Sequence, residues 1–222
     1  MPCIRLQHQK QQSHVNKEDI EESLMQWIEP VTLVGHNVIL KPLDESHQLE
    51  LSEAVQDGEL WKLWYTFIPT LEKMQAEINR RLALQQQGLM LPFSVFDRHS
   101  GKVLGMTSFM NIEVAHRRLE IGSTWYRQSV QRSVVNTESK KLLLSHAFDN
   151  LNCIAVEFRT SSFNFKSRAA IERLGAKLDG ILRSHQIVKE DILRDTYIYS
   201  ILRSEWPAVR QHLDFILDQS AK

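Results

Sequence analysis

Cysteine is scarce: Cys3 and Cys153 are the only two in 222 residues, too few for a disulfide framework, and no Cys/His spacing suits zinc. The nine histidines are scattered and read as surface or satisfied core residues rather than ligands. No charge of one sign dominates. The 27 basic and 27 acidic residues cancel, which argues against nucleic acid and against an acidic membrane surface as partners. The longest basic runs are pairs such as Arg80-Arg81, read as solvated on a polar helix. No apolar run reaches the length of a membrane span, and the first residues lack the apolar h-region of a signal peptide. The expectation is a reduced, cytoplasmic setting. With 8 Gly and 6 Pro there is no linker to divide domains, so residues 25–222 are expected to form a single domain.

Residues 1–24 read differently. Gln7-His8-Gln9-Lys10-Gln11-Gln12 is polar and aperiodic, the signature of a disordered N-terminal extension, and Met25 offers a second start. Beyond it, Val34 to Leu43 reads as a first strand. Helical periodicity follows through Leu49, Leu51, Ala54 and Val55, and again from Leu71 through Ile78 to Leu84. Phe93–Asp97 and Val103–Phe109 form a hairpin across Arg98-His99-Ser100-Gly101. Lys177 to Val188 and Arg194 to Leu202 read as another hairpin. Ser204 is expected to cap a last helix with Trp206, Val209, Leu213 and Ile216 on one face.

The informative stretch runs from Arg117 to Gly175. A strand, Arg117 to Tyr126, enters the polar loop Gln131-Arg132-Ser133-Val134-Val135-Asn136; a helix is expected to open at Thr137 and close near Asn150. A second strand, Cys153 to Thr160, leads to Asn164-Phe165-Lys166-Ser167 and a short helix ended by Gly175. This βαβα order requires a right-handed crossover and two parallel strands side by side. A helix start suits a phosphate, because its free N–H groups and dipole favour negative charge. A carboxylate in mid-strand, Glu120, needs a reason, since burial raises its pKa towards values useful for proton transfer. Alternation puts Glu120, Gly122 and Thr124 on one face and Leu119, Ile121 and Trp125 on the other. The structural alternative for Glu120 is an ion pair with Arg117, Arg118 or Arg159.

In this order and with these residues, the chain resembles the GNAT acetyltransferase family, in particular its RimJ/RimL-like branch, over about Trp27 to Leu213. The later Arg194-Asp195-Thr196-Tyr197 and Glu205-Trp206-Pro207 add to the likeness. The resemblance implies an α+β GNAT fold: a mixed, mostly antiparallel sheet of about seven strands, a splayed parallel pair in the middle, and flanking helices. It implies acetyl-CoA as co-substrate, without a metal, and direct transfer to a primary amine, on a protein N-terminus or a small molecule. A catalytically weak GNAT-fold module that binds coenzyme A or a protein partner is the alternative, and a homodimer stays open.

What the resemblance implies for single residues is specific. Glu120 is the general base. Gln131, Val134, Val135, Asn136 and Thr137 hold the pyrophosphate; Thr124, Trp125 and Tyr126 pair with the cofactor's amide-bearing arm. Asn164 faces that arm, and Ser167 lies near the thioester sulfur. Ile171 stands where many members carry a tyrosine acid, so protonation of the leaving thiolate falls to Ser167 or water. Val134 stands where the loop pattern has glycine, and Val134→Gly is expected to tighten acetyl-CoA binding. Of the aromatic run in the acceptor-groove segment, Trp61 and Trp64 are expected in the core, Tyr65 and Phe67 on the groove wall.

Overall fold

A computed structural model describes residues 27–188 and 191–220; the extension expected over residues 1–24 lies outside them. The chain passes through strands β1 (Leu33–Val34) and β2 (Val38–Pro42), then helices α1 (Gln48–Gln56) and α2 (Met74–Gln86). Strands β3 (Met90–Asp97), β4 (Val103–Glu113) and β5 (Arg118–Tyr126) follow, then α3 (Val134–Ser145), β6 (Ala155–Ser161) and α4 (Phe165–Arg173). Strands β7 (Lys177–Ile187) and β8 (Leu193–Leu202) and helix α5 (Trp206–Ser220) complete it. One sheet of eight strands holds them in the order β1-β2-β3-β4-β5-β6-β8-β7. Every neighbouring pair is antiparallel except β5 and β6, the parallel pair in the middle.

Eight strands rather than about seven arise because the segment expected as one strand, Val34 to Leu43, folds back on itself. Gly35 N–H bonds to Val38 C=O at 2.8 Å. The carboxylate of Glu138, buried on α3, accepts from the backbone N–H groups of His36 and Asn37. A buried acceptor with two donors pins the turn, which outweighs the strand propensity of the residues on either side. The last helix begins at Trp206, so Glu205 rather than Ser204 precedes it, and Glu205 C=O accepts from the N–H groups of Ala208 and Val209.

Each sheet face has its own core. On one side α3 and α5 bury Leu143, Leu144, Trp206 and Leu213 against Phe93, Phe109, Leu119, Ile121, Val156 and Phe158. On the other, Leu51, Val55, Met74 and Ile78 of α1 and α2 pack on Val103, Met106 and Trp125. Each such side chain contributes about 1.5–3 kcal/mol of burial free energy. Helices α1 and α2 lie against β3 and β4. The second half of the sheet on that side carries polar side chains instead, among them Glu120, Glu157 and Arg159.

Candidate active site

The parallel ladder is short: Arg118 pairs with Ala155, Leu119 with Val156 and Glu120 with Glu157. Beyond that point β5 stays with β4 and β6 stays with β8, so the two strands part. Ile121–Tyr126 and Phe158–Ser161 therefore face each other across a wedge with no ladder between them. A backbone edge inside the protein with no strand laddered to it beyond Glu120 and Glu157 is a ready template for an extended, amide-bearing ligand.

The alternation expected along β5 breaks inside this wedge. Met106 pairs with Trp125 and Ser108 with Gly122, leaving Ser123 and Thr124 opposite Thr107 alone. This is a β-bulge, with Ser123 in the left-handed region at φ 50°. It swaps the faces of everything after it. Thr124 turns to the α3 side, where its hydroxyl meets that of Thr107 at 2.8 Å. Tyr126 joins Leu119 and Ile121 in the α3/α5 core, and Trp125 joins the opposite core with Met106. Glu120 and Thr124 thus do not share a face.

Glu120 points to the α1/α2 side and is 4% exposed. Asn111 Nδ2 donates to its Oε2 at 2.6 Å, and Arg159 Nε lies 3.5 Å from the same oxygen. Arg118 binds Glu157 instead, which Arg159 also contacts at 2.9 Å. Burial pushes the Glu120 pKa up, and the Arg159 charge and the Asn111 hydrogen bond only partly offset it. Of the three arginines considered as partners, Arg159 is the one that approaches Glu120. A buried carboxylate of raised pKa at the fork of two strands is a stronger base than an exposed one, which suits it to accept a proton.

Helix α3 starts at Val134, three residues before the expected Thr137, because Ser133 caps it: Ser133 Oγ accepts from Val135 N–H at 3.3 Å. Val134 is therefore the first helical residue and has no need of glycine. The positive φ of the loop falls on Arg132, at 62°. Gln131 ties the loop to the strand end, donating from Nε2 to Tyr126 C=O at 3.2 Å. The backbone N–H groups of Val134, Val135, Asn136 and Thr137 form the first turn, beside the end of β5. The helix runs on through a π-helical turn, His146–Asn150, and so closes at the expected place.

At the far side of the wedge β6 leads into α4. Asn164 Oδ1 accepts from Ser167 N–H at 3.1 Å, the expected cap, and Gly175 follows the helix at φ 94°. Ile171 is buried in the α3/α5 core, on the same side as Leu174. Ser167 is half-buried on α4, the helix whose Ile171 joins the α3/α5 core, whereas Glu120 points to the other side of the sheet.

The aromatic segment departs from expectation. Only a short 3-10 turn forms at Leu60–Lys62, so helical spacing does not carry on to Trp64. Trp61 packs half-buried against the α1/α2 core, but Trp64 is 47% exposed, with its ring 5.2 Å from that of Phe163. Phe67 is also exposed and Tyr65 half-buried.

Two cations escaped the sequence reading. Arg81, expected in solvent, is 2% exposed; its Nε meets Glu77 at 2.7 Å. Lys140 is buried under the sheet on α3, its Nζ 2.6 Å from Thr124 Oγ1. The signal for Lys140 was present in the 3.6-residue period, which sets it on the same helix face as Thr137 and Leu144.

The sequence matches the acetyltransferase (GNAT) domain family over residues 37–177. A putative ribosomal N-acetyltransferase, YdaF, of Bacillus subtilis (strain 168) is 29% identical over 141 residues, 64% of this chain and 69% of that protein. The crystal structure of a GCN5-related N-acetyltransferase from Brucella melitensis superposes with a TM-score of 0.75 at 31% identity, covering 84% of this chain and 85% of the other. The ribosomal L7/L12 alpha-N-protein acetyltransferase RimL shares the fold, with a TM-score of 0.69 at 20% identity over 79% of this chain and 96% of its own.

Proposed function

Since the chain belongs to the GNAT acetyltransferase family, we propose that it transfers an acetyl group from acetyl-CoA directly to a primary amine. The observation that carries this reading is the wedge between β5 and β6 with the first turn of α3 beside it. The pyrophosphate would sit on the N–H groups of Val134 to Thr137, where backbone donors and the helix dipole act together. The pantetheine arm would pair with the β5 edge at Thr124, Trp125 and Tyr126, bringing the thioester to the fork near Glu120, with Asn164 and Ser167 across from it.

The reaction then needs few groups. A neutral amine attacks the thioester carbon, and backbone N–H groups at the bulge polarise the carbonyl oxygen. Glu120, directly or through water, takes the proton that the attacking nitrogen loses. The C–S bond breaks, and the thiolate gains a proton from Ser167 or water. With isoleucine at position 171 there is no aromatic acid there to take part, and catalysis rests mainly on positioning. Tyr65 and Phe67 would wall the acceptor side.

Calorimetric titration with acetyl-CoA, followed by thiol release across a panel of amines, tests the proposal. The related Bacillus subtilis protein is named for ribosomal acetylation, which makes N-terminal peptides of ribosomal proteins the first acceptors to try. An amino acid, a polyamine and a drug-like amine complete the panel. Acetyl-CoA binding with amine-dependent thiol release supports an enzyme. Binding with no release on any amine supports a module that holds coenzyme A without turnover.

A further inference from the structure

Lys140 is a buried amine that the reaction as described does not use. It is 6% exposed, and among the described residues no carboxylate lies within ion-pair distance of it. Its Nζ donates to Thr124 Oγ1 at 2.6 Å and to Thr107 Oγ1 at 3.1 Å. Those two threonines are the bulge residue of β5 and the single residue of β4 opposite it. From the other face of the sheet, Arg81 grips the same bulge. Its two terminal nitrogens each donate to Ser123 C=O at 3.2 Å, one also reaches Ser108 Oγ at 3.0 Å, and Glu77 balances its charge.

Fold stability does not account for Lys140. Two hydroxyls repay only part of the cost of burying an ammonium group, and an apolar side chain of the same length would fill the space at less expense. Burial brings Lys140 down to about 7, opposed by the Glu120 carboxylate across the strand. The other groups that face it, Thr107 of β4 and Thr124 of β5, are neutral. A destabilising buried amine beneath a strained stretch of backbone marks a place where conformation has been kept at the expense of stability.

We propose that Lys140 is a positioning residue for acetyl transfer: with Arg81 on the opposite face, it holds the Ser123-Thr124 bulge in the single conformation that meets the thioester. The inference rests on the reading of the wedge as the acetyl-CoA site, but its geometric part can be measured without turnover. Lys140→Met keeps the length and removes the charge and donors; Thr124→Val removes the acceptor and keeps the shape.

Both variants are compared with the parent by kcat, by melting temperature and by amide hydrogen exchange at Ser123 to Trp125. For Lys140→Met the expected result is a kcat at least about tenfold lower, acetyl-CoA KM changed by less than about threefold, and exchange at the bulge at least about tenfold faster. Its melting temperature at pH 7 should rise by a few degrees, because the desolvation cost of burying the amine is gone. Thr124→Val should reproduce the faster exchange, and the two changes together should cost little more than either alone. Exchange at the bulge unchanged in both variants, or kcat within about twofold of the parent, overturns the proposal. A melting temperature that falls together with kcat also overturns it, assigning Lys140 to core stability. If the parent shows no transfer on any amine, the functional reading fails by itself, and the exchange rates still decide whether Lys140 holds the bulge.

Discussion

Glu120 and Glu157 stand opposite each other in the last register of the parallel pair, and the guanidinium of Arg159 lies against both carboxylates. Their environments separate them. Burial raises Glu120. Burial also acts on Glu157, but hydrogen bonds from Arg159 and Arg118 outweigh it and hold that group below the ordinary carboxylate range. Two neighbouring carboxylates driven apart in this way suit different tasks: one to take a proton, the other to stay charged and orient the arginines.

Glu120→Gln removes the base and keeps the shape. Its kcat should fall by about 10²-fold or more, while acetyl-CoA affinity stays near that of the parent. Stability should move the other way. A carboxylate whose folded pKa is raised binds its proton more tightly in the folded state, so its contribution declines as pH rises from the ordinary carboxylate range through the raised value. At neutral pH the Gln variant should melt no lower than the parent. Steady-state kinetics and thermal melts at pH 7 check both halves; a kcat within a few-fold of the parent leaves Glu120 a structural residue.

Arg159→Met should shift the acidic limb of the kcat/KM profile to higher pH. The positive charge favours ionised Glu120, so its loss lets the desolvation cost act with less opposition. The profile should be recorded with one acceptor whose own ammonium titration is known. A limb that stays in place would separate Glu120 from the observed titration.

Val134→Gly should leave acetyl-CoA affinity within about twofold and cost about 0.5–1 kcal/mol of stability, since glycine loses more freedom on entering a helix. This reverses the expectation from sequence, which took the position as part of a glycine-requiring loop. The structure puts Val134 in the first turn of α3 and the positive φ on Arg132. Calorimetry with acetyl-CoA and a denaturant melt decide it. Tighter binding by the glycine variant would mean that the valine does obstruct the cofactor.

Phe67→Ala should raise the KM of the acceptor several-fold with little change in acetyl-CoA KM. The side chain is 62% exposed, so stability should move by less than about 0.5 kcal/mol. Equal acceptor KM values would take Phe67 off the groove wall.

The order of elements from β3 to α5 was legible in the sequence because its signals are local: a hairpin turn at Arg98 to Gly101, Asn164 and Gly175 at the ends of α4, and apolar periodicity in α5. What was not legible depended on long-range partners. The turn at Gly35 to Asn37 exists because Glu138, about a hundred residues later, supplies its acceptor. The bulge in β5 has no sequence mark, since serine gives no warning of a positive φ, and it moved Thr124, Trp125 and Tyr126 to faces that strict alternation does not allow. The start of α3 was legible in principle, since serine is the better cap of Ser133 and Thr137, and Ser133 is the one that caps the helix. Arg81 looks like an ordinary surface charge until the sheet is in place, whereas the helical period already sets Lys140 on the buried face with Thr137 and Leu144.

The central claim is direct transfer from acetyl-CoA to an amine in the wedge between β5 and β6. The most direct measurement follows the intact protein with isotope-labelled acetyl-CoA and the best amine of the panel, recording free thiol, acetylated amine and protein mass together. Direct transfer gives one acetyl amide for each thiol released and a protein that never carries the label. Labelled protein on the path to product, or thiol release independent of the amine, would contradict it.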